Sequence, residues 1–153
     1  MIKKITSVEE FNRISVQIIE LFKEDNEKYG HGLNLKHDYD LIVKAIAHEC
    51  LLLWNIHVWV SMVNEKCDGV FIGIIRKSEK FNKKMMDEYL WLSKNSNSGF
   101  LLYKEAIEFA KKQACEFVTM NVVENHPTSE KLKNIYKRLG FKKDSEVYIK
   151  KLS

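Results

Sequence analysis

Apolar residues recur along this chain with two different periods, and each change of period predicts a new element. Ile2 to Ile5 reads as a short first strand. Ser7-Val8-Glu9-Glu10 then has capping-box spacing, in which a hydroxyl and a carboxylate satisfy the exposed backbone donors of a helix start. Phe11, Ile14, Ile18, Leu21 and Phe22 follow at helical spacing, so the first helix is expected to run to about Glu27, with Gly30 and Gly32 breaking it. Asp38 or Asp40 caps a second helix whose predicted apolar face is Leu41, Ile42, Ala45 and Ile46. From Leu52 the period falls to two: Trp54, Ile56, Val58, Val60 and Met62 alternate with Asn55, His57, Trp59 and Ser61. Asp68-Gly69 reads as the turn of a hairpin leading into the apolar run Val70 to Ile75, where Gly73 signals a bulge or a close approach.

The second half continues with a strand at about Met85 to Leu92 and a small-polar loop, Lys94 to Gly99. A helix from about Phe100 to Lys112 is expected to bury Leu102, Ala106, Phe109 and Ala110. Phe117 to Val123 reads as a strand. Pro127 suits the first turn of a last helix, because a residue there has no intrahelical use for an N–H. Leu132, Ile135, Tyr136 and Leu139 form that helix's stripe, Gly140 ends it, and Val147 to Leu152 reads as a final strand. The predicted order is β-α-α-β-β-β-α-β-α-β, an α/β fold with a mixed central sheet in a single domain over residues 1–153.

Composition narrows the classes. With 45% hydrophobic and 30% charged residues, the 153-residue chain has the profile of a folded globular protein. No run of 18 apolar residues suggests a membrane span, and the N-terminus lacks the apolar stretch of a signal peptide. Three widely spaced cysteines (Cys50, Cys67, Cys115) with no CxxC pattern point to reduced thiols in a cytoplasmic protein, without a metal site. Charge is uneven. Met1 to Arg76 carries nine basic and eleven acidic residues, and Lys77 to Ser153 carries sixteen and ten. A net of −2 followed by +6 suits a cationic acceptor at one half and a phosphate-bearing ligand at the other.

The informative unit for chemistry is strand, small-polar loop, helix N-terminus at Tyr89 to Ala110. Exposed N–H groups at a helix start, with the positive end of its dipole, make an anion site, and Lys94 adds a cation. Order and spacing around it resemble the GNAT superfamily of acyl-CoA N-acyltransferases. Val60 to Gly69 followed by Val70 to Ile75 looks like that family's central hairpin. Lys94 to Gly99 stands where the family has Arg/Gln-x-x-Gly-x-Gly/Ala, and Leu101 to Ala110 keeps the register of the following helix. Ile135-Tyr136-Lys137-Arg138-Leu139-Gly140-Phe141 looks like the late helix whose tyrosine precedes Gly-Phe. The chain departs from the pattern at Lys94 and at Asn97, which replaces the first glycine.

The resemblance implies a sheet whose central parallel strands splay apart, with acetyl-CoA as co-substrate and no metal. It implies that the pyrophosphate meets Lys94, Asn95, Ser96, Asn97, Ser98, Gly99 and Phe100, and that the pantetheine pairs with the backbone near Trp91 and Leu92. Asn125 is the family motif's asparagine on this alignment. Tyr136 matches the acid that protonates the departing thiolate. For the base that accepts the ammonium proton, Glu88 leads, with Glu124 and His126 as rivals. The expected acceptor is an amine of a small molecule or protein, steered by acidic residues such as Glu27, Asp38, Asp40 and Glu49.

Two other classes compete. In one, the altered Lys94–Gly99 loop marks a catalytically degenerate binding or assembly module on the same fold. In the other, the basic half makes a small nucleic-acid-binding domain; the lysine doublets read better as solubilising charge, and no RNP-like or helix-turn-helix pattern is present. An exposed sheet edge gives a route to a homodimer. His57 reads as a sheet-face side chain, His31, His37 and His48 lack metal-ligand spacing, Trp54, Trp59 and Trp91 read as core or cleft wall, and Cys115 as buried.

Overall fold

A computed structural model describes residues 1–29, 38–52, 55–124, 126–148, 150 and 152. Its elements are β1 (Ile2–Ile5), α1 (Val8–Tyr29), α2 (Tyr39–Leu52), β2 (Ile56–Val63), β3 (Lys66–Ser78), β4 (Lys83–Ser93), α3 (Ser96–Lys112), β5 (Phe117–Thr119) and α4 (Ser129–Arg138). The strands form one sheet in sequence order, antiparallel from β1 to β4 and parallel between β4 and β5. This is the expected mixed α/β architecture.

The sheet has a helix layer on each face. On one face Phe11, Ile18 and Leu21 of α1 and Ile46 of α2 pack on Ile56, Val58, Val60, Val70 and Ile72. On the other, Leu102, Ala106 and Ala110 of α3 pack on Trp59, Phe71 and Met86. Local chemistry starts the helices as the sequence suggests. Ser7 Oγ accepts the Glu10 N–H at 3.1 Å, while Glu10 reaches back one residue further than expected, to the Thr6 N–H at 2.9 Å. Asp38, rather than Asp40, caps α2 by accepting the Leu41 N–H. On α2 only Ile42 and Ile46 of the expected stripe turn inward, while Leu41 and Ala45 are exposed.

Several boundaries differ from expectation. The β2–β3 turn lies at Asn64-Glu65, both with positive φ (48° and 62°), which matches the right-handed twist of the flanking strands. Asp68-Gly69 lies inside β3 instead. There Met62 faces Cys67 and Ser61 faces Gly69, so Asp68 is the extra residue of a bulge. A second bulge sits in β4: Leu90 faces Ile72 and Glu88 faces Gly73, which leaves Tyr89 unmatched. That extra residue inverts the alternation of the strand. Met86 and Trp91, five positions apart, both face α3, and Leu90 and Leu92 face α1.

α3 begins at Ser96, four residues before the expected Phe100, because Asn95 provides a side-chain cap. Pro127 stands just outside α4, whose N-cap is Thr128, and Leu139 of the expected stripe is about one-third exposed. β5 ends at Thr119 rather than Val123. The final strand expected at Val147 to Leu152 does not form among the described residues: Val147, Tyr148 and Leu152 are 93%, 87% and 89% exposed. β5 offers only three residues of ladder to a following strand, too short a template to offset the cost of ordering one. Gly30, Gly32, His31, His37, Trp54 and Asn125 lie outside the described residues.

A split in the sheet as candidate functional site

β4 and β5 pair over three positions only, Met85–Phe117, Met86–Val118 and Asp87–Thr119. β4 continues to Ser93, so from Glu88 onward its β5-facing edge has no strand partner among the described residues. The Tyr89 bulge lies at the start of this unpaired stretch, where the extra twist drives the strands apart. The result is the expected splay, with an open backbone edge that includes Trp91 and Leu92.

One network spans the split. Glu88, 8% exposed, accepts the Asn121 N–H at 2.9 Å on Oε2, and the Asn121 amide donates to the same oxygen at 3.1 Å and to the Glu88 carbonyl at 2.7 Å. The buried Tyr136 hydroxyl donates to the Asn121 carbonyl at 3.1 Å. Asn121 thus ties β4 to α4 across the gap. Burial pushes the Glu88 carboxyl above its usual range, opposed by the bonds from Asn121. Burial, then the charge of Glu88, holds the Tyr136 phenol well above its ordinary value. The tyrosine is therefore a protonated donor at neutral pH, and the glutamate holds a proton more tightly than an exposed carboxyl does. The Tyr136 ring lies 6.4 Å from the Trp91 ring and nearly parallel to it, and 5.5 Å from Phe141.

The other candidate bases are engaged. Glu124 pairs with Lys133 at 2.7 Å at an exposed position. His126 Nε2 lies 3.1 Å from Asp25 of α1, while its Nδ1 faces the Thr128 N–H at 3.1 Å and the Thr128 hydroxyl at 2.6 Å. That arrangement sets the proton on Nε2 and leaves Nδ1 as acceptor.

The expected phosphate loop is a helix start. Asn95 caps α3 by accepting the Asn97 N–H at 2.8 Å, and Ser93 Oγ accepts the Asn95 N–H. The N–H groups of Ser96 and Ser98 stand in the first turn, where no intrahelical acceptor exists. Ser98 Oγ donates to Asp68 at 3.0 Å, and Lys94 Nζ pairs with Glu24 of α1 at 2.9 Å. Gly99 is buried and faces β4, not solvent: a Cβ there would lie 3.2 Å from Ser93 Cβ, and its carbonyl accepts from Trp91 Nε1 at 3.1 Å. Its role is to seat α3 on β4. Phe100 is half exposed and stacks near Tyr103. An open strand edge beside a helix N-terminus fits an extended ligand arm ending in an anion; the donors already held by Asn95, Glu24 and Asp68 narrow that fit.

The structure brings Glu88, Trp91 and Tyr136 into one region, bridged by Asn121, which sequence reasoning did not single out; nor did it single out Asp25, the partner of His126. His57 lies half-buried on the sheet face, 4.6 Å from Phe109, as read; burial, aided by Lys4 and Lys84, lowers its imidazole to about 4. Cys67 is buried and its thiol is pushed up to about 11, whereas Cys115 is only half-buried. Among the described residues no cluster of His, Cys, Asp and Glu could hold a metal ion, and no helix is long and apolar enough to cross a membrane.

No family model and no curated protein matches this chain. Solved structures do. An aminoglycoside acetyltransferase from an uncultured soil metagenomic sample, in complex with sisomicin, superposes with a TM-score of 0.71 at 15% identity, over 98% of this chain and 95% of that one. A ribosomal-protein-alanine N-acetyltransferase from Brucella melitensis biovar Abortus 2308 gives 0.70 at 9% identity, over 99% of both chains. A transcriptional regulator from Bacillus halodurans C-125 gives 0.74 at 17% identity, again over 99% of both. The chain therefore shares its fold with these structures, which is the fold that the GNAT resemblance implies.

Proposed function

We propose that this protein is an N-acyltransferase that moves an acetyl group from acetyl-CoA to a primary amine by direct transfer. The observation that carries the reading is the Glu88–Asn121–Tyr136 network at the split between β4 and β5. It supplies a proton acceptor and a proton donor beside an unpaired strand edge, as amide formation from an ammonium and a thioester requires.

Acetyl-CoA would supply the activated acyl carbonyl and a thiolate leaving group. The edge near Trp91 and Leu92 would hold its arm, and Ser96 and Ser98 N–H groups, with Lys94, its phosphates. Glu88 Oε1, for which no partner occurs among the described residues, takes a proton from the acceptor's ammonium, so a neutral amine is available to attack. As the C–N bond forms and the C–S bond breaks, Tyr136 gives its proton to the sulfur. The nitrogen sheds its second proton as the amide forms, which restores the Tyr136 phenol, and the proton on Glu88 leaves to solvent, so charge balances over the cycle. The α1 carboxylates Glu24 and Asp25, next to the split, suit a cationic acceptor, whether a small molecule or a protein amine.

A second reading, a GNAT-fold binding module without catalysis, is favoured by one observation: Lys94, Ser98 and the Asn97 N–H already have partners. Calorimetric titration with acetyl-CoA, followed by thiol release over an amine panel, separates the two. Binding with turnover supports the enzyme, and binding without turnover supports the module. No binding at millimolar acetyl-CoA would overturn the proposal.

A further inference from the structure

At the opposite end of the sheet from the split lies a cleft of about 410 Å³, lined by Asn55, His57, Ile75, Arg76, Lys77, Lys84 and Gln113. It opens on the α3 side, where β3 leaves the sheet, β4 enters it, and α3 ends. Its charge is one-sided: among the described residues three cations line it and no carboxylate does. Arg76 is neutralised by an ion pair with Asp87, but Lys77 and Lys84 have no ion-pair partner among the described residues. These two lysines also stand directly opposite each other in the β3–β4 ladder. Like charges in facing positions destabilise a sheet, so the arrangement costs stability unless something negative sits between them. The same positive field is felt at His57, whose imidazole is depressed first by burial and then by Lys4 and Lys84.

We propose that this cleft binds a small organic phosphate, with Lys77 and Lys84 clamping the phosphate group. Two lysines at facing ladder positions supply a charge equal to that of a phosphate monoester. The volume lies within the range of small-molecule sites, large enough for an organic body as well as the anion. That body meets an apolar wall at Ile75, the face of His57 backed by Phe109, and the amides of Asn55 and Gln113, which suit hydroxyl groups. The site is separate from the split: α3 runs from Ser96, beside the end of β4, to Lys112, at this cleft. It therefore stands or falls independently of acyl transfer.

The test uses the whole chain, titrated with ribose 5-phosphate and observed through its backbone amide and histidine ring resonances. The expected result is a dissociation constant below about 1 mM, with shifts at Asn55, His57 and Gln113 and a rise in the His57 titration midpoint. Ribose alone should produce no shift, and inorganic phosphate should compete. Lys77→Gln and Lys84→Gln should each weaken binding by about tenfold, whereas Lys142→Gln should leave it unchanged. Each lysine variant should also keep or raise the unfolding temperature, since a like-charge pair is relieved; this confirms that it folds. Shifts confined to residues 94–100, undiminished binding in the lysine variants, or no binding at 10 mM would each overturn the proposal.

Discussion

Asn121 holds Glu88 across the gap where β4 and β5 have stopped pairing, with its N–H 2.9 Å from the carboxylate and its amide bonded to both the carboxylate and the carbonyl. A strand pair that ended there without such a bridge would leave a buried carboxylate in a slot open to solvent on one side. The bridge ties the two sides of the gap together and leaves the second carboxylate oxygen without a hydrogen bond among the described residues.

Glu88→Gln is expected to lower turnover by at least about a hundredfold, the scale of general-base catalysis. Stability should move the other way. The folded carboxyl titrates above its ordinary value of 4.5, so the folded state binds more protons than the unfolded chain just above that pH. The sign follows: stability from this group is full below 4.5 and is lost as pH rises through the raised folded value. The wild type should therefore lose stability relative to Glu88→Gln as pH rises above 4.5 in thermal unfolding scans. A constant difference would show that Asn121 fully compensates the buried charge.

Tyr136→Phe removes one hydroxyl and its bond to the Asn121 carbonyl while keeping the ring against Trp91 and Phe141. Turnover should fall more than about tenfold, with acetyl-CoA affinity nearly unchanged and a stability loss of about 1 kcal/mol. Steady-state kinetics with calorimetry of binding checks the split. Unaltered kcat would assign the ring to packing alone.

Lys94 is held by Glu24 from a different element, with both side chains about half exposed. Such a pair contributes at most about 1 kcal/mol. Glu24→Gln should therefore leave the fold intact and tighten acetyl-CoA binding severalfold, because a cation beside the helix start is released. Lys94→Ala should weaken binding by a similar factor, more so at low salt. Equal affinities in all three proteins would remove Lys94 from the site.

Gly99→Val separates two roles for one glycine. A side chain here meets Ser93 Cβ on β4, so α3 must lift from the strand. Overpacking of this kind costs about 1–3 kcal/mol, read as a fall of several degrees in unfolding temperature. Loss of cofactor affinity with an unchanged melting curve would instead place the glycine against the ligand.

Much of this was legible locally, and the failures have a common cause. Phe11, Ile18 and Leu21 declared α1, and Gly140, at φ 86°, ended α4 as its position suggested. The hairpin turn was misplaced because Asp68-Gly69 is the stronger local signal, whereas Asn64 and Glu65 turn only because the strands on both sides demand it. Leu41 was expected inside α2's stripe; periodicity gives an angle around the helix but not which arc meets the sheet. Asn121 carried no signal, since its meaning depends on Glu88, a residue 33 positions away, and on a ladder that ends early. The last strand is missing among the described residues for the same reason: Val147 to Leu152 has apolar residues at both ends, but pairing needs an edge that β5 is too short to supply.

Tyr89 illustrates how tolerance can differ between two kinds of genetic change at one position. Its side chain is about half exposed and its residue has no partner across the ladder, so nearly any replacement leaves the core untouched. Deleting it is another matter. Every residue from Leu90 to Ser93 would exchange faces, sending Trp91 into the α1 layer and Leu90 and Leu92 beneath α3. The position is thus permissive in identity and strict in number: a counting residue, whose presence rather than chemistry keeps the two ends of β4 in phase.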